Sequence, residues 1–166
     1  MEMNRQLHVS AISPLRLDTV RAAGEDGHGN HLHPFAAEGE GEPLRCCLRF
    51  AEAGESIFLM SYAPFERASV WREVGPVYVH AEPCDGYTKN DQLPDQLATG
   101  PRILRTYGPD GSMNYDHNTV VGDEAELRPL IEDLLAEAGV ALVHVRTLAP
   151  QCFLYAVTGS GQVRSF

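Results

Sequence analysis

The spacing of apolar and polar positions divides the chain into many short strands and two helical segments. In "PLRCCLRF" (43–50), Leu44, Cys46, Leu48 and Phe50 fall on one parity and Arg45, Cys47 and Arg49 on the other. That is the period of a half-buried strand. "SIFLMSY" (56–62) is almost continuously apolar and follows the turn-like "AEAGE", so the two segments predict a hairpin. "GPVYVH" (75–80) predicts a third strand. "PRILRTYGPDGSMNYDHNTVVG" predicts a strand, a "PDGS" turn and a strand. "VALVHVR" and "CFLYAVT" predict a last pair around "TLAPQ", where a slip of one residue would turn Cys152 to or from the face of His144.

Helical signals occur twice. Ser13 before Pro14 is an N-cap and N1 pair, and Gly24 is a stop, which predicts a short N-terminal helix. Asp123 followed by Glu126 has capping-box spacing. After it, Leu127, Leu130, Ile131, Leu134, Leu135 and Ala138 form one apolar stripe, ended by Gly139. Pro129 lies past the first turn, so a kink or a delayed start is expected there. Residues 24–42, rich in Gly, His and acid, predict a mobile loop, and 85–100 an irregular connection. Connections between strands are mostly short enough for hairpins. The expected fold is therefore α+β: a single domain over 1–166, with a mainly antiparallel sheet of hairpins, one clear amphipathic helix and a short N-terminal helix.

Composition narrows the function. A chain of 166 residues fits one domain and can bury a core without a disulfide or a metal. The formal net charge of −10 weighs against nucleic acid and anionic membrane surfaces as partners. Of the 13 basic residues only Lys89 is a lysine, which is either coding bias or a set of rigid forks for carboxylate and phosphate. Four cysteines are too few and too scattered for a disulfide scaffold. No export signal is visible at the start, and no apolar run is long enough to span a membrane. The expected location is the cytoplasm, with reduced thiols.

The candidate chemistry lies on the strands. In "GPVYVHAEPC", His80 precedes Cys84 by four positions. As an enzyme, Cys84 would be the nucleophile, with His80 or His144 as base. As a zinc protein, structural or hydrolytic, His80 and Cys84 would be joined by Cys46 or Cys47, His144 or Cys152. No CxxC or HExxH is present, so no residue is assigned to a metal at this point. "HGNHLH" reads as a solvated His-rich loop. His144 and Arg146 share one strand face, and of Arg102 and Arg105 only one can join them. With Arg45 such a cluster suits a carboxylate or phosphate. The competing reading is a wet sheet face with cross-strand salt bridges, for example to Glu55 or Asp116.

The strings "GEPLRCCLRFAEAGESIFLMSYAPF", "GPVYVHAEPC", "RILRTYGPDG" and "ALVHVRTLAPQCFLYAV" together resemble the bacterial domain of unknown function 1203 family, from about residue 40 to residue 158. The matching motif positions include Pro43, Arg45, Cys46, Leu48, Gly54, Gly75, Pro76, His80, Cys84, Arg102, Arg105, His144, Arg146 and Cys152. The resemblance implies a small bacterial protein and carries no activity with it. Arg, His and Cys gathered in the motifs look like a site rather than a scaffold. The leading expectation is a pocket for a small anionic ligand. Arg45, Arg105, Arg146 and Cys152 would bind it, and Cys84, His80 and His144 would be the catalytic candidates. The cofactor and the oligomeric state are left open. The alternatives are a zinc-binding protein, a Cys-dependent enzyme and a non-catalytic interaction module.

Overall fold

A computed structural model describes residues 6–161. Its ten strands form two five-stranded sheets. The first contains β1 (Leu7–Ser10), β7 (Arg102–Tyr107), β8 (Thr119–Val121), β9 (Leu142–Thr147) and β10 (Phe153–Gly159), in the order β1-β10-β9-β7-β8. The second contains β2 (Phe35–Ala36), β3 (Pro43–Leu44), β4 (Arg49–Phe50), β5 (Ser56–Tyr62) and β6 (Gly75–His80), in the order β2-β5-β6-β3-β4. All pairings are antiparallel except β3 with β6, which is parallel. The α+β class stands, with two sheets where the pattern predicted one.

Each sheet shares a core with one helix. α1 (Pro14–Ala23) buries Leu17 and Val20 with Phe58, Val77 and Val79 of the second sheet. Gly24 ends it in the left-handed conformation, with its N–H donating to Val20 and Arg21 carbonyls. α2 (Glu124–Ala136) buries Leu127, Ile131, Leu134 and Leu135 with Val143, Val145 and Val157 of the first sheet. The Asp123 carboxylate accepts from Ala125 N at 2.9 Å, which fixes the start. Pro129 neither delays that start nor divides the helix. The bond it omits would end on Ala125, an exposed residue whose carbonyl water can serve.

Two expectations need correction. The segment 43–50 is not one strand, and it does not form a hairpin with 56–62. Residues 45–48 are a tight turn between β3 and β4, closed by Leu48 N donating to Leu44 O at 3.0 Å. β5 pairs with β2 and β6 instead. The alternation fails because its apolar residues serve different cores: Cys46 packs with the second sheet and Leu48 with the first. Residue Leu48 reaches its core only through a left-handed backbone, φ 59°. In the 24–42 segment, buried Asp26 accepts from the backbone N–H of His28, Asn30 and Ser61 and so ties the segment to β5. Among the described residues no helix is long and apolar enough to cross a membrane.

Candidate functional site

The turn between β3 and β4 changes where its two cysteines point. A strand would send adjacent side chains to opposite faces. Here both thiols approach the end of β6: Cys46 Sγ lies 3.4 Å and Cys47 Sγ 3.8 Å from His80 Nδ1, and the two sulfurs are 4.0 Å apart. The chain leaves β6 through "AEP" and returns Cys84 to the same point. One ligand atom from each of Cys46, Cys47, His80 and Cys84 lies within 4.8 Å of every other. A tetrahedral zinc with bonds of about 2.3 Å to sulfur and 2.0 Å to nitrogen has edges of about 3.8 Å and 3.5 Å. The two sulfur–nitrogen separations straddle the edge of about 3.5 Å, and the sulfur–sulfur separation of 4.0 Å lies just beyond the edge of about 3.8 Å.

Each sulfur also accepts a backbone N–H. His80 N donates to Cys46 at 3.3 Å. Arg49 N donates to Cys47, and Gly86 N donates to Cys84. The last two are bonds to the residue two positions back. Gly86 aims its N–H from a left-handed backbone, φ 74°. Such donors favour a thiolate over a thiol.

The imidazole is held from behind. His80 Nε2 lies 3.2 Å from Glu55 Oε1 and 3.3 Å from Arg49 NH2; in the tautomer that donates from Nε2 to Glu55, the Nδ1 lone pair faces the sulfurs. Arg49 grips both oxygens of Glu55, at 2.6 and 2.9 Å. This pairing, helped by the Glu52 N–H, holds the Glu55 carboxyl well below its usual range. Arg21 of α1 donates to the His80 carbonyl at 2.9 Å and so anchors the strand end. Among the thiols, the hydrogen bond to Cys47 and then burial push Cys46 up, while the bond from Cys46 lowers Cys47. Burial pushes Cys84 up, the reverse of what a nucleophilic thiol needs.

The remaining predicted residues lie elsewhere. Arg105, Arg146 and Cys152 meet at a second place, a cleft of about 360 Å³ also lined by Glu73 and Gln151. Arg105 pairs with His144 across β7 and β9, so Arg105 rather than Arg102 shares the His144–Arg146 face. Arg102 instead donates to the Leu97 carbonyl at 3.0 Å. His144 is 2 % exposed and packed among the rings of Phe65, Tyr107 and Phe153. Burial, then Arg146 and Arg105, lowers its pKa to about 3, so it is neutral at pH 7. The structure brings His144 to neither Cys84 nor His80.

Arg45 is buried between the two places. Its Nε donates to the Phe153 carbonyl at 2.7 Å and its NH1 to the Pro43 carbonyl at 2.5 Å. Burial lowers its pKa to about 10, so it keeps its charge and ties the cysteine turn to β10.

The family's sequence profile, described as "protein of unknown function", DUF1203, matches residues 41–158. The chain belongs to that family. The match covers all four residues of the cysteine cluster as well as Arg105 and Arg146. No curated protein and no solved structure matches the chain.

Glu73 was absent from the sequence reading. It lies in the mostly exposed "ERASVWREV" stretch (66–74), where no local pattern marks it. As a zinc ligand Cys47 was an alternative to Cys46 and not its companion, because adjacent cysteines are not a spacing that zinc sites favour. The detectable signal was the "CC" pair itself, lying between two short apolar stretches instead of inside a long one.

Proposed function

We propose that this protein binds one zinc ion through Cys46, Cys47, His80 and Cys84. The observation that supports it is the convergence of three sulfurs and one imidazole nitrogen within 4.8 Å. Three soft thiolates and an imidazole in a tetrahedral set favour Zn²⁺ among common divalent ions. The outer contacts fit as well: a carboxylate on the far imidazole nitrogen and a backbone donor on each sulfur.

A four-ligand site keeps no open position for water, so the role is structural rather than hydrolytic. The ion would join two weakly built pieces, the two-residue strands β3 and β4 and the irregular 81–86 segment, to the end of β6. Three thiolates on Zn²⁺ leave one surplus negative charge, which faces the Arg49 guanidinium.

The test is elemental mass spectrometry on untagged protein. About one zinc per chain is expected for the wild type. Cys84→Ser and His80→Ala should lose it, while Cys152→Ser should keep it. Iron in place of zinc, or protein that stays metal-free when titrated with zinc under reducing conditions, would overturn the reading.

A further inference from the structure

The cleft beside Gln151 holds two cations and one anion. Arg105 and Arg146 come from adjacent strands, and Arg146 is 7 % exposed while the Arg105 side chain is 16 % exposed. Bringing two guanidiniums together out of water is unfavourable unless each is paired. Among the described residues their carboxylate partner is Glu73, whose Oε2 lies 2.5 Å from Arg105 NH1 and 3.1 Å from Arg146 NH2. One negative charge therefore faces two positive ones, in a chain whose formal net charge is −10.

Glu73 is the loosest member of the group. Its side chain is 46 % exposed, and it sits in the exposed stretch before β6, flanked by exposed Arg72 and Val74. Rotation of that side chain would uncover both cations without moving a strand. The arginines would stay in place, because Gln151 holds them separately. Its carbonyl accepts from Arg146 Nε at 2.8 Å, and its side-chain oxygen accepts from Arg105 NH2 at 3.1 Å. To do both, Gln151 adopts a left-handed backbone, φ 57°. The surrounding cleft of about 360 Å³ falls in the size range of small-molecule sites and exceeds what one carboxylate side chain fills.

We propose that this cleft binds a small carboxylate ligand in the place taken by Glu73, and that Glu73 is its built-in competitor. The occupant seen in the structure is itself a carboxylate, the planar group that guanidinium forks match. The proposal goes beyond zinc binding and rests on other residues. β6 borders both places, lining the cleft with Gly75–Val77 and ending at His80 in the cysteine cluster.

Calorimetric titration at low ionic strength tests it, with succinate and inorganic phosphate as separate probes. Glu73→Gln removes the competitor and keeps the shape. Succinate should then bind roughly tenfold more tightly than to the wild type, the scale of one lost charge-assisted contact. Adding Arg105→Gln to Glu73→Gln should abolish that gain. Three results would overturn the proposal: equal succinate affinity for wild type and Glu73→Gln (including no binding to either), a gain that survives Arg105→Gln, or phosphate binding more tightly than succinate to Glu73→Gln. Zinc content measured on the same samples keeps a failure here distinct from a failure of the metal site.

Discussion

Leu48 and Gln151 are the two non-glycine residues with left-handed backbones among the described residues, at φ 59° and 57°. One closes the cysteine turn and the other closes the arginine cleft. A non-glycine residue in that conformation costs roughly 1–2 kcal/mol, so it persists only where surrounding contacts over-determine it. At Leu48 the surrounding contact is apolar: the side chain is buried in the core of the first sheet. At Gln151 it is polar, two hydrogen bonds to two guanidiniums. The cysteine turn gathers groups that become negative when ionised and so would suit a cation. The arginine cleft gathers positive groups and leaves a deficit that an anion fills. The same backbone device therefore frames two sites of opposite sign.

The largest expected difference between them is in response to a chelator. A strong zinc chelator should lower the melting temperature of the wild type by about 10 °C, taking roughly 4 kcal/mol of ligand stabilisation and 2–4 °C per kcal/mol for a chain of this size. Cys84→Ser should start near that lower value and not respond. Glu73→Gln should respond as the wild type does. Differential scanning calorimetry reads all three, and a chelator-insensitive wild type would break the contrast.

Acid should read the arginine side next. His144, behind Arg105 and Arg146, has a folded pKa depressed from 6.5 to about 3. Below pH 6.5 the unfolded chain takes up a proton that the folded chain refuses. Stability contributed by this group is therefore present above pH 6.5 and falls on acidification until about pH 3. The slope is about 1.4 kcal/mol per pH unit. His144→Phe, among three aromatic rings, should remove that component. Urea unfolding between about pH 6.5 and 5 should show the wild type losing roughly 2 kcal/mol more than the variant. Parallel curves for the two proteins would mean that His144 is reached by water.

The smallest of these effects concerns Glu55. Glu55→Gln keeps an acceptor on His80 but drops the charge, and zinc affinity should fall by about tenfold, the low end of the range for a second-layer partner, because the acceptor remains. Competition with a chromophoric chelator measures it. An unchanged affinity would show that Glu55 serves Arg49 alone.

Much of this architecture was legible in the residue pattern. α1 and α2 were marked by Pro14, Gly24, Asp123 and the Leu127–Leu135 stripe. β5, β9 and β10 were marked by apolar runs four or more residues long, and β6 and β7 by shorter ones, Val77–Val79 and Ile103–Leu104. The cysteine turn was hidden because "LRCCLRF" alternates as well as any strand. Its departure is decided by two separate cores competing for Cys46 and Leu48, and no window of seven residues contains that information. The division into two sheets was hidden for the same reason, since partner choice depends on residues far apart in the chain. Of the candidate site, His80, Cys84, Arg105 and Arg146 could be named, but how they divided between two places could not. That division follows from sheet membership: His80 ends a strand of the second sheet, and the two arginines lie within the first.

Arg45 gives the fold a timetable. Its guanidinium reaches the carbonyl of Phe153, and the Phe153 ring sits in the core of the second sheet, although Phe153 begins β10 of the first. The four proposed metal ligands are complete by residue 84, some seventy positions earlier. At about 5–20 residues per second on a ribosome, several seconds separate the two events. During that interval the nascent chain has its full Cys/His cluster beside an unfinished core, with the Arg45 charge still waiting for the Phe153 carbonyl. An ion captured then would hold the β3–β4 turn in shape until Phe153 arrives to close the hole.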